Sequence, residues 1–170
     1  DQANTLFFKS SVRPATVNLT IGNIYRSNNK KLDHVPTTHH LQSPGEVILV
    51  EVKEEISIPE GYCGLLFIPN TLAKKGMLIT NPGHIDPGFT GIVTLCLVNM
   101  SSRKHEVSIS NEIARLMLFK IEEPEKNPRQ INGRGVDSRQ LEAIGHDFAD
   151  ISKRTKKTVL SVFFKHSVLF

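Results

Sequence analysis

The feature that most constrains this chain is a run of turn residues set between two apolar, strand-like segments. From Gly64 to Asn99 the sequence reads GLLFIPNTLAKKGMLITNPGHIDPGFTGIVTLCLVN. Leu65–Ile68 and Ile92–Val98 are the apolar runs, and Gly76, Pro82, Gly83, Pro87, Gly88 and Gly91 punctuate what lies between them. Glycine reaches backbone angles that other residues avoid and proline pre-sets one of them, so such clusters make turns by a definite mechanism. Asp86 sits inside the tightest of these turns, between Ile85 and Pro87. A carboxylate held on a sharp turn beside a small-residue loop is a candidate site. Asp also favours turns for structural reasons, because its side chain bonds nearby backbone amides. On the residues alone the structural reading is the favoured one.

The rest of the chain continues the pattern of short strands. Thr16–Tyr25 alternates, with Val17, Leu19 and Ile21 on one side and Asn18 and Thr20 on the other. Val47–Val52, Tyr62–Ile68, Met77–Thr80, Ile92–Asn99, Val107–Ser110 and Ile113–Ile121 are further predicted strands. Asn70–Gly76 predicts one helical turn, with Asn70 or Thr71 as its cap. Arg26–Gln42 is polar and predicts a long hairpin or loop. His39 and His40 lie in it, and adjacent histidines on an extended chain point apart and make poor joint metal ligands. Short strands with turn signals between them predict a mainly β fold, a barrel or jelly roll.

With 170 residues the chain is long enough for one ordinary domain with a hydrophobic core. Its 39% hydrophobic and 22% charged residues exclude a disordered composition. A net charge of +4 suits an anionic ligand without arguing for nucleic-acid binding. Cys63 and Cys96 are too few for a disulfide framework and form no metal-binding spacing, so a reducing, cytoplasmic setting is expected and a metal site is not. No signal-peptide pattern opens the chain, and no run approaches the ~20 apolar residues of a membrane span. The first residue is Asp rather than Met, which leaves native residues before Asp1 or beyond Phe170 open.

The composition changes after Pro124. Glu122–Asn132 is charged and carries proline, whereas Asp137–Lys165 predicts a helix. Leu141, Ile144, Phe148 and Ile151 recur at helical spacing, and Asp137 or Ser138 is the expected N-cap. A basic run, Lys153, Arg154, Lys156 and Lys157, precedes the apolar Val159, Leu160, Val162, Phe163 and Phe164. The expected organisation is therefore a β-barrel domain over 1–124, a linker over 125–136, and an amphipathic helix with a basic, apolar tail over 137–170. Such a helix needs cover. The barrel, a sister subunit, a protein partner or a membrane surface would supply it. The basic run carries no interleaved aromatics, so neither nucleic acid nor membrane is strongly signalled.

IDPGFTGIVTLCLVN resembles the core motif of the dCTP deaminase and dUTPase superfamily. RPATVNLTIGNIY (Arg13–Tyr25) resembles the family's early strand. LQSPGEVILVEVKEEISIPEGYCGLLFIPNTLAKKGM (Leu41–Met77) resembles its next block, which ends in a Ser- and Arg-bearing loop. SNEIARLMLFKIEEP (Ser110–Pro124) resembles its closing strand, so the likeness runs in order over about residues 11–124. The resemblance implies a dUTPase-like distorted β-barrel, homotrimers with sites built where subunits meet, and pyrimidine deoxynucleoside triphosphates as ligands.

It also implies roles for particular positions. Deaminases of the family use no zinc; a Glu on the central strand activates water, which requires a group able to take a proton. That position is Cys96 here, and a thiol buried on a strand stays protonated and lacks the reach of Glu. Asn70 stands where the loop Ser is expected, with Thr71 beside it, and Lys74 stands where the Arg is expected. Lys keeps the charge and loses the planar two-pronged donor. In the dUTPases an Asp in the Ile-Asp turn orients the attacking water, with Mg²⁺ held through the triphosphate. Asp86 matches that Asp, and Phe89 the aromatic residue under the sugar. The closing-motif Gln falls on Arg115, and the Gly-rich arm is only faintly echoed by Asn132, Gly133, Arg134 and Gly135. His84, beside the turn, competes between a phosphate contact and an ordinary surface role. His105 and Lys104 read as solvated hairpin residues.

Three functions follow. The first is a catalytically degenerate, trimeric member that binds a pyrimidine deoxynucleotide or serves as an assembly platform for an unknown partner of its C-terminal helix. The second is an active dCTP deaminase or dUTP diphosphatase type of enzyme with a rebuilt site, in which Asp86, Lys74 and Arg115 handle phosphate and water. The third is an interaction protein that keeps the barrel for trimerisation only. None of the three binds a cofactor directly, and Mg²⁺ would enter with a triphosphate.

Overall fold

The computed structural model describes residues 14–26, 36–122, 131–137, 139–140, 155–156 and 159–160. In order they form β1 (Val17–Arg26), β2 (His39–Gln42), β3 (Val47–Ser57), β4 (Tyr62–Phe67), α1 (Asn70–Ala73), β5 (Met77–Ile79), β6 (His84–Ile85), β7 (Phe89–Asn99), β8 (His105–Ser108), β9 (Glu112–Lys120) and β10 (Ile131–Gly133). One sheet runs β10-β7-β3-β1-β9-β4-β6, with β5 also paired to β7, and curls as a half-barrel. β2 and β8 make a separate antiparallel ribbon. Every pairing is antiparallel except β10 with β7. The fold is mainly β, as expected.

β1 shows how sequence becomes position. Val17, Leu19 and Ile21 are buried, which matches the predicted alternation. The pairing with β3 then shifts between Ile21 and Asn23. Such a bulge moves every later side chain to the other face. Ile24 therefore enters the core, and Asn23 and Tyr25 turn to the opposite face of the sheet. A second shift, against β9 between Leu19 and Thr20, is bridged by a side chain: Glu54 accepts from the Thr20 N–H at 2.9 Å and from its hydroxyl at 2.7 Å. Leu19, Ile21, Ile24, Ile48, Leu95, Leu97, Ile113 and Leu116 are fully buried in one cluster. Burying each such side chain stabilises the fold by about 1.5–3 kcal/mol.

Two expectations are corrected. The polar stretch ending at Gln42 is not all loop, because its last four residues form β2. Their side chains find partners both near and far: His40 Nε2 lies 2.8 Å from Glu46 Oε1, and the buried Gln42 amide donates to Glu46 O and, across the sheet, to Leu97 O, while its own Oε1 has no partner among the described residues. His39 turns instead to Ser108 and Glu106, so the two histidines do point apart. Neither Asn70 nor Thr71 caps α1; the N-cap is Pro69, whose carbonyl accepts from Leu72 and Ala73, so the helix begins one residue earlier.

The helix expected over 137–165 falls almost wholly outside the described residues. Among the described residues α1 is the only complete helix. Residues 139–140, 155–156 and 159–160 have helical backbone, and no continuous helix over Asp137–Lys165 stands among the described elements. Leu141, Ile144, Phe148 and Ile151, most of the basic run, and the apolar start around Phe7 lie outside the described residues. Ile131–Gly133, within the stretch expected as a linker, adds a strand to the sheet. No helix among the described residues is long and apolar enough to cross a membrane.

Candidate functional site

The Ile-Asp turn is a braced type II turn. The Phe89 N–H donates to Asp86 O at 3.2 Å, Pro87 and Gly88 occupy the corner, and Gly88 has φ +77°, which the third position of this turn requires. Gly88 N–H donates to Ile58 O at 2.9 Å and Ile58 N–H to Phe89 O at 2.8 Å, tying the turn to the end of β3. Asp86 is thus exposed on a rigid corner, with His84 Nε2 3.2 Å from its Oδ1.

A cleft of about 380 Å³ opens beside this corner. Ligand pockets run from roughly 300 to 1,000 Å³. One wall is His84, Asp86 and Phe89; a second is Ile92, Val93 and Thr94 of β7 with Asn81; a third is Ile131, Gly133, Arg134 and Gln140 from the C-terminal stretch. That third wall is held close. Gly91 has φ +134°, and a side chain there would strike Gly133 O. Further on, the Gln140 N–H donates to Asp137 Oδ1 at 2.8 Å and the Asp137 N–H to Gln140 Oε1 at 3.2 Å. This is a reciprocal capping box, with Asp137 as the expected N-cap.

Behind this wall lies Glu51, only 6% exposed. Its Oε2 accepts from Asn23 Nδ2 at 2.8 Å and the Tyr25 hydroxyl at 2.9 Å, and its Oε1 from the Val136 N–H at 2.6 Å. Burial first, and the neighbouring Glu51 carboxylate second, push the Tyr25 phenol up to about 12. Elsewhere, burial of Glu46 opposes its ionisation. The His40 hydrogen bond, the Ser43 N–H and the charges of His40 and Arg26 outweigh it and hold that carboxyl below its usual range.

The structure brings two of the sequence-predicted site residues together, Asp86 and Phe89, with His84 beside them. Cys96, expected as a buried thiol, is only half-buried; it sits further along β7, opposite Leu49 and off the cleft lining. Asn81 spans the strand there, accepting from the Cys96 N–H at 2.7 Å and donating to Thr94 O at 2.9 Å. Asn70, Thr71 and Lys74 are exposed on and just after α1, outside the cleft lining. Arg115 lies on β9 with its Nε 2.7 Å from Glu112 Oε1. Within one chain none of these five residues lines the cleft with Asp86. His105 bonds Ser101 on the β2–β8 ribbon. Among the described residues no group of three metal-ligating side chains converges.

Sequence reasoning missed Glu51, Asn81, Thr94 and Gln140, and it placed Arg134 only in an echo of an arm. A charged residue inside the apolar run VILVEV was the available signal for Glu51.

Comparison with known proteins agrees with this architecture. A family model described as dCTP deaminase-like matches residues 4–121. A dCTP deaminase of Thermococcus kodakarensis is 30% identical over 129 residues, covering 76% of this chain and 83% of that protein. A dUMP-forming dCTP deaminase of Persephonella marina is 29% identical over 133 residues, covering 69% of this chain and 74% of that one. The crystal structure of a 2′-deoxycytidine 5′-triphosphate deaminase from Agrobacterium tumefaciens superposes with a TM-score of 0.56 at 15% identity, covering 66% of this chain and 41% of that chain. That last likeness is one of fold. Curled sheet, braced Ile-Asp turn and sequence match converge on one conclusion: the chain belongs to the dCTP deaminase-like family.

Proposed function

We propose that this chain is a catalytically degenerate member of its family, a homotrimeric module that binds a pyrimidine deoxynucleotide in the cleft beside Asp86. The observation that carries the reading is the setting of Cys96. Leu49 faces it across the β3–β7 pair, and Asn81 occupies its backbone. The one charged side chain buried among the described residues, Glu51, pairs with Thr94, a diagonal step away, and is taken up by three hydrogen bonds. A deamination needs a free base over the reacting ring, and the position that matches the family's Glu carries a thiol off the cleft instead. The cleft suits a nucleotide in size, with Phe89 as an apolar surface for a sugar and Arg134 and His84 for phosphate. The trimer, and its use as a platform for whatever the C-terminal stretch joins, rest on the family resemblance. Mg²⁺ would arrive with the triphosphate.

The test pairs binding with turnover. Purified protein should gain melting temperature with a pyrimidine deoxynucleotide, because a ligand that binds only the folded state stabilises it by mass action. It should release neither ammonia from dCTP nor pyrophosphate from dUTP. Steady turnover of either would replace this reading with the active enzyme, which the Asp86–His84 pair in the cleft favours and which needs Lys74 and Arg115 from a neighbouring subunit. A flat thermal response to every nucleotide would favour the interaction protein.

A further inference from the structure

We propose that Glu51 is a positioning residue for ligand binding: its buried carboxylate fastens residues 131–137 across the cleft and so holds Arg134 where an anionic ligand meets it. This rests on reading the cleft as a nucleotide site.

Three observations carry it. First, Glu51 is buried, and no lysine or arginine pairs with it among the described residues. A buried carboxylate is costly unless its oxygens are hydrogen-bonded. Asn23 and Tyr25, brought to this face by the bulge in β1, serve Oε2. Oε1 accepts from the Val136 N–H, 85 positions away in sequence. Detaching the segment would break a charge-assisted hydrogen bond to that oxygen, so the carboxylate itself favours attachment. Second, the segment is shaped for the contact. A side chain at Gly135 would run into Glu51 Oε1, so the residue next to the donor is one that lets the backbone reach the acid. Third, the fastening lies between two other anchors. The β10–β7 ladder holds Ile131 to Gly133, and the Asp137–Gln140 capping box holds the far end. Arg134, which lines the cleft together with Asp86 and His84, falls between the ladder and the Glu51 contact.

The experiment follows hydrogen exchange at 131–137 in the full chain, for wild type, Glu51→Gln and Gly135→Ala. Glutamine keeps the size of Glu51, but one of its two polar atoms is a donor and opposes one set of partners. Gly135→Ala keeps the carboxylate and crowds its Oε1, so that the backbone and the acid must move apart whichever of them shifts, which guards against a Glu51→Gln protein that folds poorly. Both variants should speed exchange at Val136 by about tenfold or more, as local opening becomes easier. A second arm measures binding of dCTP, dUTP and inorganic tripolyphosphate by calorimetry. Glu51→Gln and Arg134→Gln should each weaken binding by about tenfold, and the double variant should lose no more than either, because residues acting through one another are not additive. Unchanged exchange in both variants overturns the fastening, whether or not nucleotides bind. Additive losses overturn the positioning of Arg134, since a merely structural Glu51 would act independently of it. A wild-type protein that binds none of the three probes removes the nucleotide reading and Arg134's role with it, while exchange alone decides whether Glu51 holds the segment.

Discussion

The Tyr25 hydroxyl donates to Glu51 Oε2 across 2.9 Å, on a face that β1 reaches only because its pairing slips between Ile21 and Asn23. The phenol is consequently pushed from an ordinary 10.0 up to about 12, by burial first and by Glu51 second. The chain has two tyrosines, so a Tyr62→Phe variant leaves Tyr25 alone to be followed by ultraviolet absorbance. Its ionisation should centre near pH 12 in the folded protein. Adding Glu51→Gln should lower that midpoint only in part, because burial remains. The neutral phenol is favoured by folding, so its contribution to stability is whole below pH 10.0 and lost as pH rises through about 12. A midpoint of 10 would mean that the phenol is in water.

Glu46 supplies the opposite sign. Its folded carboxyl is held low by His40 and the Ser43 N–H against the effect of burial. Its contribution is therefore present above the ordinary value of 4.5 and lost as pH falls through the lower folded value. Urea unfolding of wild type and Glu46→Gln should show a stability gap near neutrality that closes in acid. A gap that stays constant down to acid unfolding would contradict the assignment.

Gly91→Ala should separate β10 from β7. The position needs φ +134°, and the added carbon would strike Gly133 O. A non-glycine residue forced into such a conformation costs about 1–3 kcal/mol. Urea unfolding should report that loss, and exchange should rise at 131–133. Tolerance of alanine at both readouts would show that the two strands are not in close contact.

Asp86→Asn distinguishes the two functional readings. If the cleft only binds, removing a negative charge near an anionic ligand should leave affinity unchanged or raise it a few-fold, because like charges repel. If the protein turns a nucleotide over with Asp86 as the group that orients water, the rate should fall at least about a hundredfold, as for a lost general base. Measuring both quantities on one preparation decides between them.

Much of the scaffold was legible because it depends on local rules. The alternation in Val17 to Ile21 and the Pro87-Gly88 corner each carry their geometry in the residues themselves. What was not legible depends on partners distant in sequence. His39 to Gln42 looks like loop until Ser108 and Leu97 are placed beside it. Glu51 looks like a solvated interruption of an apolar run until Asn23, Tyr25 and Val136 surround it. The cleft was half visible: Asp86 and Phe89 follow from the motif, while Arg134 and Gln140 arrive by a parallel pairing that no local pattern announces. Cys96, the position that matches the family's Glu, lies off the cleft lining.

The slip in β1 has one more implication. Gly22 is the one residue that the slip absorbs, since Ile21 and Asn23 face consecutive residues of β3. Deleting it would let plain alternation run from Val17 to Tyr25, with Ile24 still inward and Asn23 and Tyr25 still toward the acid, whereas a residue lost on either side of the slip would send an apolar side chain to the wrong face. Loss of a single residue should accordingly be tolerated better at Gly22 than anywhere else in this strand.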